Sequence, residues 1–347
     1  MSLPELTPAV LGASLGRALR TQIASLERLP GGRNSRIYRA LDAGGRAWAV
    51  KVYVRQPGRR DSLATEFTAL SFLHGHGIAA VPRPVARDEE LGWAAYDFVD
   101  GAPVRISEVG DADILAAVEF LASLRELRKA RGADELPAAA EAGLTVTGVV
   151  DDIERRMKRL RDVPDAPALQ AFLGADLAPA IERMRAAAGR RLGRAGRAAH
   201  EPLAPALRTL SPSDFGFHNA LRRPDGGLTF VDFEYFGWDD PAKMVSDFLL
   251  HPGMALTDAA RATFAARIAG AFADDVDLPD RIEATYPLYG LKWCVILLNE
   301  FLGADLSRRQ FAGGASDPAE VRATQLAKAC RMLEKVSEDH ERFPYRF

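Results

Sequence analysis

Short alternations of apolar and polar residues fill much of the first hundred positions. The runs "RIYRAL" from Arg36, "RAWAVKVYV" from Arg46 and "GWAAYDFV" from Gly92 alternate or are rich in β-formers, and "GGRN" and "DAGG" read as turns. This pattern predicts strands. It breaks once, at "DSLATEFTALSFLHGHG", where Leu63, Phe67, Leu70 and Leu73 recur at helical spacing and Gly75 and Gly77 end the run.

After Val104 the pattern changes. From Ile114 the chain is rich in Ala, Leu and Arg and predicts helices, interrupted by short apolar runs at Leu210 to Leu221 and Leu228 to Val231. The segment from about Ala138 to His200 has few aromatic residues and two breakers, Pro164 and Pro167, and reads as a helical insertion. Its "RRLGRAGR", Arg190 to Arg197, reads as a solvated helix face rather than a grip on an anion. The run "YGLKWCVILLNEFLG", Tyr289 to Gly303, reads as a central core helix, with Lys292, Asn299 and Glu300 as its polar members. The expected architecture is α+β, a small β-rich lobe over residues 1–100 followed by a larger, mainly helical lobe over residues 101–347.

Length agrees with two lobes, because 347 residues exceed the ~250 to 300 at which single cores stop growing. With 48% apolar and 27% charged residues and a formal net charge of -2, the chain has a globular composition and no general pull toward nucleic acid or anionic lipid. Cys294 and Cys330 make neither a disulfide framework nor a Cys-rich metal site. The start "MSLPELTPAV" lacks a basic and then apolar leader, and no apolar run approaches ~18 residues, so a cytoplasmic protein is expected. The oligomeric state stays open.

The candidate chemistry lies at the element ends. Lys51 sits mid-strand among valines, and Glu66 occupies the inward side of the helix among Leu63, Phe67 and Leu70, where an unpaired carboxylate is costly. An ion pair between them satisfies both and leaves the ammonium aimed outward. Gly31 and Gly32, in the turn upstream, allow backbone N–H groups to approach a phosphate chain, although two adjacent glycines also mark a plain hairpin. Further along, "LSPSDFGFHNAL" holds Asp214 and Asn219 in a polar turn, and "LTFVDFEYFGWDDP" places Asp232 at the end of an apolar run. Phosphoryl transfer needs a carboxylate to orient the attacking hydroxyl and oxygen ligands for Mg²⁺, roles that these three residues could fill.

In order and spacing, Lys51, Glu66, "SDFGFHN" and "DFEYFGWDDP" resemble the aminoglycoside phosphotransferase and choline kinase family, relatives of the protein kinases, over about residues 28–300. The resemblance implies a protein-kinase-like fold and an ATP- and Mg²⁺-dependent transfer to a hydroxyl of a small molecule. Asp214 is then similar to the catalytic base, Asn219 and Asp232 to the magnesium ligands, Lys51 to the phosphate-binding lysine and Glu66 to its partner. "AAYDFVDG" is similar to the inter-lobe hinge, with backbone groups near Asp97 to Val99 holding adenine, and Ser35 adds a hydroxyl to the phosphates.

Two positions depart from the family pattern. Pro212 stands where the family has a His two residues before the base, and after "DDP" the next Asp is delayed to Asp247 in "AKMVSDF". Asp240 is expected to brace the catalytic loop, and His218 to make a loop hydrogen bond. The expected acceptor is a sugar, amino alcohol or related metabolite ahead of an aminoglycoside. The alternative is a kinase-like nucleotide-binding regulator without transfer activity. Protein kinase activity is disfavoured because no "HRD", "DFG" or "APE" string occurs.

Overall fold

Valines and aromatic residues on alternate sides of successive strands build a sheet with two buried faces. In the computed structural model, which describes residues 6–30, 35–54, 60–303 and 317–347, five antiparallel strands form this sheet. They are β1 (Ile23–Leu29), β2 (Ser35–Asp42), β3 (Ala47–Tyr53), β4 (Pro84–Asp88) and β5 (Trp93–Asp97), ordered β1-β2-β3-β5-β4. The two-residue period of β3 splits its side chains. Val50 faces α1 (Pro8–Leu19), packing with Leu11, Leu15, Trp93 and Ala95. Lys51 and Tyr53 face the other way, toward α2 (Ser62–Gly75). The helix α1 was not expected, since its Gly12 and Gly16 dilute the apolar period. Asp61 accepts from Ala64 N–H at 3.0 Å and starts α2 at the expected place.

A second set of short strands follows. β6 (Ala102–Pro103), β8 (Ala220–Arg222) and β9 (Leu228–Phe230) form one antiparallel ribbon, and β7 (Thr209–Ser211) pairs with β10 (Gly237–Asp239) in another. The chain crosses between the two ribbons twice, once through residues 212–219 and once through residues 231–236. Both crossings therefore have both ends pinned by the same pair of ribbons, which sets the two candidate motifs side by side. Their apolar members anchor them from below: Phe215, Phe217, Phe230 and Phe233 are buried and pack around Phe120 and Phe248.

The helices enclose this platform. They are α3 (Asp111–Glu126), α4 (Val146–Arg161), α5 (Pro167–Ala171), a π-helical turn Phe172–Leu177 running into α6 (Ala178–Arg194), α7 (Pro241–Leu250), α8 (Asp258–Ala271), α9 (Leu278–Leu297) and α10 (Pro318–Glu341). The central one is α9, buried along most of its length and packed against α4, α6, α7 and α10. It ends at Leu297, and Asn299 and Glu300 fall in a following 3₁₀ turn. Within the Arg-rich run, Arg191 is not merely solvated, because it donates to Glu283 on α9 at 2.6 Å. No described helix is long and apolar enough to cross a membrane.

Candidate active site

The Lys51 ammonium is the centre of the constellation. Its Nζ lies 2.6 Å from Glu66 Oε2 and 2.6 Å from Asp232 Oδ1. Burial works against its charge and is outweighed by Asp232 first, then by Glu66 and Glu234, so the ammonium is held well above the usual lysine range. Glu66 is 3% exposed and fully employed. Its Oε2 also accepts from Tyr53 OH at 2.7 Å, and its Oε1 accepts from Phe233 N–H at 3.2 Å. One carboxylate thus ties α2 and β3 to the crossing that carries Asp232. Asp232 itself takes a left-handed φ of 70°, a backbone state that an Asp tolerates better than most residues.

The other crossing carries Asp214 and Asn219. Asn219 Nδ2 donates to the Asp214 carbonyl at 3.0 Å, and Val231 N–H donates to the Asn219 carbonyl at 2.9 Å, which links the two crossings directly. With its amide nitrogen committed, Asn219 keeps Oδ1 as an oxygen donor. Asp232, whose side chain is 37% exposed, offers a carboxylate on the crossing bonded to it. A carboxylate and an amide oxygen are the hard donors that Mg²⁺ prefers, so the residues present fit that ion.

His218 and His251 converge on Asp214. His218 Nε2 is 3.1 Å and His251 Nε2 3.2 Å from Asp214 Oδ1, and the two rings stack with centroids 3.8 Å apart and planes 6° from parallel. Burial pushes the Asp214 carboxyl up, but hydrogen bonds from His218 and then His251 outweigh it and hold the group well below the usual carboxylate range. Burial holds the His251 imidazole below the usual histidine range. The three ligand atoms lie within 4.8 Å of one another, a spacing that metals use. Rings stacked 3.8 Å apart do not suit a shared metal, however: an ion ~2.0 Å from both nitrogens would sit far out of both ring planes, whereas an oxygen more than 3 Å away is reached from both at a shallower angle.

Behind Asp214 stands a buried ion cluster on α7. Lys243 Nζ reaches Asp239 Oδ2 at 3.0 Å, Asp247 Oδ2 at 2.9 Å and Ser213 Oγ at 3.0 Å. Ser213 has a left-handed φ of 68°, and its N–H donates to Ser211 Oγ at 3.0 Å, so the residue before Asp214 is held at both ends. The brace expected of Asp240 therefore falls to Asp239 and Lys243. Asp240 instead caps α7, accepting from Ala242 N–H at 2.8 Å, and pairs with Arg281. Asp247, displaced in sequence from the family pattern, holds Lys243 and accepts from Trp293 Nε1 at 3.1 Å.

The remaining expected residues are placed as follows. Ser35 is buried at the first position of β2, paired with Tyr53 across the strands. Asp97 closes β5, its N–H spent on the Arg83 carbonyl at 2.9 Å and its carboxylate on Arg83 and Arg46. Val99 is half-buried in the stretch that follows. Gly31 and Gly32 lie outside the described residues. Sequence reasoning passed over Lys243, His251 and Trp293. For Lys243 there was a signal, since Asp239, Lys243 and Asp247 stand at successive i,i+4 positions.

Comparison with known proteins meets this geometry. The Phosphotransferase enzyme family matches residues 25–284. The chain belongs to this family. No curated protein matches the sequence. Among solved structures, the spectinomycin phosphotransferase determined with ADP and spectinomycin superposes with a TM-score of 0.64 at 12% identity, covering 95% of this chain and 99% of that one. The choline kinase of Cryptosporidium parvum Iowa II superposes with a TM-score of 0.59 at 10% identity, over 91% and 90% of the two chains. The choline kinase LicA of Streptococcus pneumoniae does so with a TM-score of 0.57 at 15% identity, over 94% and 98%. The fold of this phosphotransferase is thus kinase-like, as the order of its motifs implied.

Proposed function

We propose that this phosphotransferase is an ATP- and Mg²⁺-dependent kinase that phosphorylates a hydroxyl of a small molecule, a sugar, amino alcohol or related metabolite. The observation that carries the reading is the convergence of Lys51, Glu66 and Asp232, next to a crossing that presents Asp214 and Asn219. Residues 1–100 act as the nucleotide lobe and residues 101–347 as the catalytic and acceptor lobe, with the segment of about 138–200 contributing to the latter.

In this reading Asp214 orients the acceptor hydroxyl and takes its proton, Asn219 and Asp232 hold Mg²⁺, and Lys51 contacts phosphate oxygens. Ser35, the turn at Gly31 and Gly32, and the backbone from Asp97 to Val99 hold the nucleotide. Bound Mg²⁺ supplies charge neutralisation on the phosphates. The chain's own part is positioning: Glu66 fixes the ammonium, and the paired ribbons fix the two carboxylates and the amide. Cys294 and Cys330 are both free thiols, which suits a reducing compartment such as the cytoplasm.

The deciding experiment is a screen of hydroxyl-bearing metabolites for acceptor-dependent ADP release, with phosphorylated product detected by mass spectrometry. Calorimetry should show ATP binding that weakens on chelation of divalent metal. Nucleotide binding without any phosphorylated product would favour the regulator, and ATP affinity unchanged by chelation would remove the metal assignment.

A further inference from the structure

We propose that His218 and His251 form a two-donor clamp that positions Asp214, committing its Oδ1 and presenting Oδ2 to the acceptor. The proposal rests on the reading of Asp214 as the acceptor-orienting carboxylate. Both Nε2 atoms approach the same oxygen, at 3.1 and 3.2 Å, and a carboxylate there can only accept. For His251 the tautomer is settled independently. Its Nδ1 accepts from the Gly253 N–H at 3.0 Å, so in the neutral ring the proton sits on Nε2, facing Asp214. In His218 it is Nε2 that meets the carboxylate and must donate, so in the neutral ring Nδ1, buried without a hydrogen-bond partner among the described residues, is the nitrogen without the proton.

The clamp does not float. The His251 ring meets Trp293 edge-on at 4.6 Å, Trp293 Nε1 donates to Asp247, Asp247 holds Lys243, and Lys243 holds Ser213, the residue before Asp214. Starting from the carboxylate of Asp214, this series of contacts returns to the backbone of Asp214. Side chain and main chain of one residue are thereby fixed by a single closed circuit. With His218 Nε2 hydrogen-bonded to Oδ1 and His251 Nε2 3.2 Å from the same oxygen, rotation about the terminal torsion of Asp214 would lose both contacts, so Oδ2 keeps one direction. The broad torsional freedom of a free carboxylate is what the clamp removes.

The test has two arms. Long-range ¹H–¹⁵N NMR should show both imidazoles as the Nε2–H tautomer at neutral pH, and Asp214→Asn should shift both sets of resonances. An Nδ1–H tautomer for His251, or resonances indifferent to Asp214→Asn, overturns the clamp, and this arm needs no turnover. The second arm measures ADP release at saturating ATP with water as acceptor. His251→Phe keeps the ring and loses the donor, and should lower the rate at least about tenfold, the size of one hydrogen bond to a charged group. ATP affinity should not change. His251→Gln restores a donor nitrogen at similar reach and should recover part of the rate. If Asp214→Asn is impaired while His251→Phe matches wild type, the clamp fails and the reading of Asp214 stands. If Asp214→Asn itself matches wild type, both fail.

Discussion

Lys51 and Asp232, 181 positions apart in the chain, meet at 2.6 Å between Nζ and Oδ1, while the same ammonium is 2.6 Å from Glu66. One side chain on β3 therefore ties the small sheet to the crossing that carries the candidate metal ligand. Removing it leaves a carboxylate that is 3% exposed without its cation. Lys51→Ala should cost about 3 to 5 kcal/mol of stability, the usual size when one partner of a buried pair is removed, and should abolish turnover. Arg83→Ala, which breaks an exposed pair with Asp97, should cost about 1 kcal/mol or less. Denaturant midpoints of the two variants measure the contrast.

Asp214→Asn preserves the shape of the turn and loses the basic oxygen. Phosphorylation of the acceptor should fall ~10² to 10⁴-fold, with ATP affinity unchanged because Lys51, Asn219 and Asp232 remain. Mass spectrometry of product and calorimetry of ATP binding, on variant and wild type together, decide the matter. A variant as active as wild type would exclude Asp214 as the base.

Gly237 opens β10 where another segment presses against it. A Cβ there would lie 2.3 Å from the Pro137 carbonyl oxygen and 2.6 Å from Ala138 C and Ala139 N, all backbone atoms that cannot swing away. Gly237→Ala should lower stability by about 1 to 3 kcal/mol through overpacking and should loosen the ribbon that pins both crossings. Thermal unfolding gives the first effect and loss of kcat the second. An unchanged melting temperature would contradict the close approach.

Glu141 and Asp152 share Lys292, each at 3.0 Å from its Nζ. Burial pushes both carboxyls up, but Lys292 first and then Arg156 outweigh it and hold both below the ordinary carboxylate range. The folded pKa values are therefore lower than the unfolded ones. Their contribution to stability is present above the unfolded values, near ~4, and is lost as the pH falls through the folded ones. The free energy of unfolding should accordingly drop on acidification below about pH 4, and Lys292→Met should flatten that drop. Urea titrations at pH 6, 4 and 3 compare the two slopes. Parallel slopes would mean that Lys292 does not set these carboxyls.

Loss of the contact that holds Ser213, the residue before Asp214, offers a separate check on the brace. Lys243→Met empties the ammonium that holds Ser213 Oγ and leaves Asp239, which is fully buried, without its cation. The variant should lose about 3 to 5 kcal/mol. Lys243→Met combined with Asp239→Asn should regain part of it, because the amide keeps an acceptor for the Gly143 and Asp240 N–H groups without burying an unpaired charge. Chemical denaturation of the single and double variants reads the difference.

What the sequence determined by itself is what local periodicity and short-range order can carry. The two-residue period of "AWAVKVYV" set Lys51 and Tyr53 on one face and Val50 on the other, and the helical period of "LATEFTALSFL" turned Glu66 inward. The pairing of Lys51 with Glu66 followed from the cost of burying either charge alone. Order along the chain, from Lys51 through Asp214 to Asp232, was enough to suggest the family and the fold.

Periodicity says which side of an element a residue faces, not what stands opposite. That Asp232 completes the Lys51 cluster, that Asp239 and Lys243 rather than Asp240 hold the loop before Asp214, and that His251 and Trp293 close a circuit around it were decided by packing of distant segments. The physical reason is that a polar contact between residues far apart in sequence exists only once the apolar core has set two elements face to face. Here the aromatic anchors Phe215, Phe217, Phe230 and Phe233 do so from below, and the polar groups above them meet as a consequence.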